Sequence, residues 1–172
     1  HRTDGNDLYA LKAISLISEN LERAVKNPND IEARGALLLG SCYGGIAIDN
    51  CGTALAHNIS HAMADLAPIP HGRATGLAML ATMKWVSQGA SEAYARVAKA
   101  MSAADPVIAY DRLVRATGMK ISLEGDGLDL AKPELLAEHM ASPANAPMRK
   151  SNLRYPGDAE LVELARLVYD LH

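Results

Sequence analysis

Asn6-Asp7-Leu8-Tyr9-Ala10-Leu11-Lys12-Ala13-Ile14-Ser15-Leu16-Ile17 opens with two good helix-capping residues. It then places Leu8, Leu11, Ile14 and Ile17 at steps of three and four, which Leu21 and Val25 continue. That period predicts an amphipathic helix from Asn6 or Asp7 to about Val25. Asn27-Pro28-Asn29-Asp30 stops it, and Asp30 is placed to cap a second helix over Ile31–Asp49. Gly35, Gly40, Gly44 and Gly45 lie inside that second stretch. Interior glycine costs a helix about 1 kcal/mol relative to alanine, so the pattern predicts a helix buried on most sides with another backbone close by.

The same reading continues outward. A third helix is expected over Gly52–Leu66, ended by Pro68 and Pro70, and a fourth over about Gly72–Gln88. Ser91 is expected to cap a fifth, running to about Ala103. Asp105-Pro106 supplies a cap and a first-turn proline for Val107–Thr117, with Gly118 as its stop. Ile121–Leu130 reads as loop, Pro133 opens a short helix toward Met140, and Ser142–Pro156, with three prolines, reads as an irregular connection. Asp158 is expected to cap a last helix in which Leu161, Leu164, Leu167, Val168 and Leu171 share a face. No stretch alternates like a strand. The expected fold is all-α, about eight helices in a single domain over residues 1–172.

Composition agrees with helix-on-helix packing. Of 172 residues, 49% are hydrophobic but only 4% aromatic, with no Phe, so Leu, Ile, Val, Met and Ala must fill the core. A net charge of −3 lacks the basic excess of a nucleic-acid-coating surface. No apolar run is long enough to span a membrane. Cys42 and Cys51 are expected to be reduced, small core residues of a cytoplasmic protein. The start, His1-Arg2-Thr3-Asp4-Gly5, carries neither a signal-peptide pattern nor an initiator Met, so the chain is expected to begin partway through a longer protein.

His57 and His61 are four apart and share one helix face, and His71 follows the Pro68–Pro70 corner, where the chain can return toward that face. Three imidazoles so arranged can converge on a metal, with Asp65 one turn on as a further oxygen donor. The same spacing also occurs as an incidental polar stripe, and His71 can equally serve as a helix-terminal residue bonded to backbone. His1, His139 and His172 have no partners in sequence and are expected in solvent. His57-Asn58-Ile59-Ser60-His61 has the histidine spacing of the zinc-protease motif, but Asn58 stands where that chemistry needs a glutamate base, which disfavours hydrolysis.

Asn50-Cys51-Gly52-Thr53-Ala54-Leu55-Ala56-His57-Asn58-Ile59-Ser60-His61, followed by Pro70-His71-Gly72, resembles the signature of the iron-containing, or group III, alcohol dehydrogenases. Asp7-Leu8-Tyr9-Ala10-Leu11-Lys12-Ala13-Ile14, Glu19-Asn20-Leu21 and Asn29-Asp30-Ile31-Glu32-Ala33-Arg34 resemble the helices before that signature, and Asn152-Leu153-Arg154 resembles a late Asn-Pro-Arg segment. Ala54 and Ala64 depart from glycines frequent in the family.

The resemblance implies a dehydroquinate synthase-like helical C-terminal domain, preceded in family members by an α/β domain that binds NAD or NADP. It implies His57 and His71 as ligands of Fe²⁺ (or Zn²⁺ or another divalent ion), completed by an Asp and a His upstream. It also implies His61 as a catalytic residue, and Ile48 and Asp49 as substrate-pocket residues for an alcohol or aldehyde. On this reading the chain lacks its nucleotide-binding domain, is inactive alone, and self-associates through apolar surface that the other domain would cover. A homo-oligomer is expected from that apolar surface, and the charge balance and the lack of a long apolar run predict no nucleic-acid or membrane partner. The competing reading is a free-standing helical binding or interaction module with incidental histidines.

Overall fold

Thr3 begins the first helix: its hydroxyl accepts from the Asn6 N–H at 3.2 Å and starts α1 (Asp4–Lys26), three residues ahead of the expected start. The computed structural model describes residues 2–128 and 132–172. His1 and the end of the expected Ile121–Leu130 loop lie outside the described residues. Asp30 caps α2 (Ile31–Cys51) by accepting from the Ala33 N–H at 2.9 Å. Contacts divide the fold into two compact units, one of residues 2–52 and 91–118, the other of 53–90 and 119–172.

In the first unit, α1 packs along α2, with α5 (Ser91–Ala100) and α6 (Pro106–Ala116) against α1. The tightest line is not the expected leucine stripe. Leu8 and Val25 are exposed, whereas Ala13, Asn20 and Ala24 of α1 are buried, as are Ala33, Gly40 and Ala47 of α2, spaced seven apart. A Cβ added at Gly40 would stand 2.9 Å from Ile17 Cγ1 and 3.4 Å from both the Ala13 carbonyl oxygen and Leu16 Cβ. Gly40 is therefore the close approach that the glycine content predicted; Gly35 and Gly45 face open space.

The expectation that α2 is buried on most sides is corrected: Ile31, Leu38, Leu39, Ile46 and Ile48 are exposed. An apolar helix sequence specifies how much surface needs covering, not which faces a neighbour reaches. Cys42 is likewise exposed rather than core, and Cys51 is half-buried. Nine residues apart on one helix, the two residues stand about 13.5 Å apart along the axis, beyond disulfide reach. Asp105 accepts from the Val107 and Ile108 N–H groups at 2.7 and 3.1 Å, and Gly118 turns the chain at φ 73°, both as expected.

The second unit holds α3 (Leu55–Leu66), α4 (His71–Val86), α7 (Pro133–Ala141), α8 (Ala146–Lys150) and α9 (Asp158–Tyr169), with a 3-10 turn at Ser87–Gly89. Its core joins Leu55, Ile59 and Met63 of α3 to Leu77, Leu80 and Trp85 of α4, Leu136 and Met140 of α7, and Leu161, Leu164 and Val168 of α9, all buried. There are nine α-helices and no strand among the described residues. The additional one, α8, forms inside the expected irregular stretch because Pro147 falls in its first turn, where a missing N–H costs nothing. The start of α9 also differs: Gly157 is the cap residue and Glu160 accepts from its N–H at 2.8 Å, while Asp158, in the first turn, pairs with buried Arg149 at 2.9 Å. No described helix is long and apolar enough to cross a membrane.

Candidate metal centre

Gly52, at φ 79°, breaks the chain between α2 and α3, so α3 begins at Leu55 and not at Gly52. No side chain at its own start caps it. Instead Asn152, 97 residues on, accepts from the Leu55 N–H at 2.9 Å while its amide donates to the Met148 and Arg149 carbonyls at 2.9 Å each. Arg154 donates to the Trp85 carbonyl at 2.8 Å, lies 3.5 Å over the Trp85 ring and bonds Glu160 at 3.1 Å. The Asn152–Arg154 segment thus holds the start of α3, the end of α4 and the start of α9.

Asn58 is fully buried, and its amide donates to the Met140 and Asn145 carbonyls at 2.9 Å each. It anchors the helix face opposite the solvent, which leaves His57 half-buried and His61 exposed. Ala67 and Ile69 are buried in the corner after α3, and Pro70 precedes His71, the first residue of α4. The two helices are tied by Thr75 Oγ1 bonded to Ser60 Oγ at 3.2 Å.

The outcome is a triangle of imidazoles. Ring centroids are 5.6 Å apart for His57 and His71, 5.9 Å for His61 and His71, and 6.2 Å for His57 and His61. Two imidazoles on one tetrahedral metal, at about 2.1 Å from nitrogen to metal, place their ring centres about 5 Å apart. The His57–His71 separation is close to that value. Burial, reinforced by the proximity of His71 and His61, holds the His57 pKa below the usual 6.5. The shift favours the neutral form, whose lone pair a metal needs.

Among the described residues no three His, Cys, Asp or Glu side chains are set to hold a metal by themselves. Asp65 is turned away to a different partner: its Oδ2 lies 3.3 Å from His139 Nδ1, across from α3 to α7. His139 accordingly is not the solitary solvent histidine expected from sequence. His172 is exposed at the C-terminus, as expected. Ile48 and Asp49 are exposed on the last turn of α2, in the first unit.

Sequence reasoning missed Arg73, two residues beyond His71. Its Nη1 and Nη2 donate to both Asp126 oxygens at 2.9 and 2.8 Å, while Nε reaches the Lys120 carbonyl and Nη2 the Ser122 carbonyl at 2.9 and 2.8 Å. The nearest sequence signal is its place next to the Pro70-His71-Gly72 run; nothing local names partners some 50 residues away.

The profile of the Fe-containing alcohol dehydrogenase family, C-terminal, matches residues 2–169. Among curated proteins, the probable alcohol dehydrogenase EutG of Salmonella typhimurium is 28% identical over 171 residues, covering 94% of this chain and 42% of that protein. The NAD-dependent methanol dehydrogenase of Bacillus methanolicus is 28% identical over 148 residues, covering 80% of this chain and 39% of that one. A solved 1,3-propanediol oxidoreductase superposes with a TM-score of 0.86 at 24% identity, over 96% of this chain and 46% of its own, which shows the fold. This chain spans less than half the length of these relatives. Taken with the all-helical architecture and the clustered imidazoles, the match over nearly every residue shows that the chain belongs to the Fe-containing alcohol dehydrogenase family and corresponds to its C-terminal domain.

Proposed function

We propose that this chain is the metal-holding half of an oxidoreductase that interconverts an alcohol and an aldehyde or ketone with NAD or NADP. The observation that carries the reading is the 5.6 Å separation of the His57 and His71 rings. His57 and His71 would hold Fe²⁺, or Zn²⁺ or another divalent ion, since imidazole suits several. Such an ion supplies Lewis-acid polarisation of an alcohol or carbonyl oxygen.

His57 contributes a neutral ring kept so by burial, and His71 a ring fixed at the first turn of α4. His61, exposed and 5.9 Å from His71, is positioned to orient the substrate hydroxyl or to carry its proton. Ile48 and Asp49 are assigned to substrate contact by family resemblance. The remaining ligands and the nucleotide site are assigned to a preceding α/β domain, as in the family. The chain alone therefore carries no dehydrogenase activity and binds metal weakly, and it self-associates through exposed apolar residues such as Ile31 and Leu38. A homo-oligomer in the cytoplasm is the proposed setting.

The test joins this chain to a family nucleotide-binding domain and measures iron content and NAD(P)-linked alcohol oxidation. His57→Ala and His71→Ala should each abolish both. His61→Ala should keep the iron and lower kcat by about 10²-fold or more, the usual contribution of a positioned acid or base. Iron uptake unaffected by His57→Ala and His71→Ala contradicts the ligand assignment. Tight stoichiometric Fe²⁺ or Zn²⁺ binding by the chain alone contradicts the need for the other domain.

A further inference from the structure

His71 is exposed, and the backbone that carries it sets the range its ring can reach. That backbone is the first turn of α4, which begins at a proline and has no side-chain cap of its own. What grips this turn comes from far along the chain. Arg73 spends Nε, Nη1 and Nη2 on the 119–128 loop: two bonds to the Asp126 carboxylate and one each to the Lys120 and Ser122 carbonyls. The Arg73 and Asp126 side chains are only 15% and 19% exposed, so solvent competes weakly for the pair. A guanidinium forked onto a carboxylate fixes a plane and a direction, which a single contact cannot.

The loop is itself a fixed body. Ile121, Leu123 and Leu128 are buried, and the Asp126 N–H donates to the Leu123 carbonyl at 3.1 Å. Gly125 and Gly127 take positive φ, at 75° and 87°, to close it. Lys120 pairs with the same carboxylate at 3.3 Å, and the Tyr169 hydroxyl donates to the Leu128 carbonyl at 2.9 Å, tying the loop to α9. A Cβ built on Gly127 would stand 4.0 Å from Ala67 Cβ, so the loop also lies against the corner that returns the chain from α3 to α4.

We propose that Arg73 is a positioning residue: by clamping the first turn of α4 to the 119–128 loop, it fixes where the His71 imidazole stands relative to His57, and so makes that loop a determinant of how tightly the histidine pair holds a divalent metal. The part concerning metal rests on the ligand reading above; the part concerning ring placement does not. Ligand constellations tolerate errors of only about 0.5 Å before affinity falls, so a clamp acting two residues from a ligand acts on affinity directly.

The experiment compares crystal structures of the chain carrying Arg73→Ala, Arg73→Lys and Leu164→Ala. The last removes a buried core side chain of α9 and serves as a control for stability loss alone. Arg73→Ala should move the His71 ring by about 1 Å or more from its 5.6 Å separation to His57. Arg73→Lys keeps a charge opposite Asp126 and should recover most of the separation, and Leu164→Ala should leave it unchanged while lowering Tm. In the protein joined to a nucleotide-binding domain, iron affinity should fall about tenfold for Arg73→Ala and stay constant for Leu164→Ala, a change of about 1.4 kcal/mol. A His57–His71 separation unchanged in Arg73→Ala overturns the proposal. If the wild-type protein takes up no metal, the ligand reading fails, and the ring separations still decide the clamp. If Arg73→Ala does not fold, Asp126→Ala decides instead: it removes the carboxylate end of the clamp, so a displaced His71 ring supports the proposal and an undisturbed one overturns it.

Discussion

The two units are both rich in small residues and yet are packed oppositely. In α3, seven of twelve residues are buried and in α4, nine of sixteen; in α1 and α2 the counts are three of twenty-three and three of twenty-one. In the first unit small residues let two helix backbones touch along one line, at Gly40, while large apolar side chains point elsewhere. In the second, small residues fill spaces between large ones, and buried amides of Asn58 and Asn145 tie helix to helix. The three histidines stand on the second kind of ground. A constellation that must hold its spacing benefits from helices whose rotamers and backbone are locked by packing.

The largest expected effect sharpens that contrast. Leu55→Ala or Leu77→Ala, each at a fully buried position, should cost about 3–5 kcal/mol in urea unfolding. Leu38→Ala, at 75% exposure, should stay within about 0.5 kcal/mol. Equal losses at both would break the distinction. Next, Asn58→Leu should cost about 2–4 kcal/mol, because the Met140 and Asn145 carbonyls lose their buried donor. A loss below that range would mean water replaces the amide.

Within α2, two glycines should respond with opposite sign. Gly40→Ala forces a methyl to 2.9 Å from Ile17 and should destabilise by about 1–3 kcal/mol. Gly45→Ala meets nothing within 4 Å and should stabilise by about 0.5–1 kcal/mol. Thermal melts of the two variants, measured side by side, check the single line of contact between α1 and α2.

The smallest effect is electrostatic. A hydrogen bond from Arg2, with help from Arg96, holds the Asp7 carboxyl below its ordinary value of 3.8. In the second unit Arg73, with Lys120, does the same to Asp126. A depressed carboxylate is protonated more readily in the unfolded chain, so its contribution is complete above about pH 4 and is lost as pH falls through the lower native value. Tm measured from pH 5 downward should decline less steeply for Asp7→Asn than for the parent chain. An unchanged slope would show that the Arg2–Asp7–Arg96 cluster is screened out in solution.

What the sequence made legible was local. Asp30, Asp105-Pro106 and Gly118 announce helix ends because caps and stops act within four residues. The His57–His61 face and the Pro68–Pro70 corner marked three imidazoles that could approach one another. What stayed hidden was long-range: Asn152 capping α3 from 97 residues away, Arg73 reaching Asp126, and Asp65 engaging His139 rather than the other histidines. The covered face of α2 was hidden for the same reason, since which side a neighbour covers is decided by tertiary packing. The hidden α8 is a separate matter, because three prolines argued for loop and only their exact register allows a helix turn.

One measurement decides where the metal sits. Anomalous scattering at the iron edge, from crystals of this chain joined to a nucleotide-binding domain and loaded with Fe²⁺, locates the metal directly. The prediction is a single peak about 2.0–2.2 Å from one nitrogen of His57 and one of His71. A peak bound elsewhere, or one contacting only one of these two rings, contradicts it.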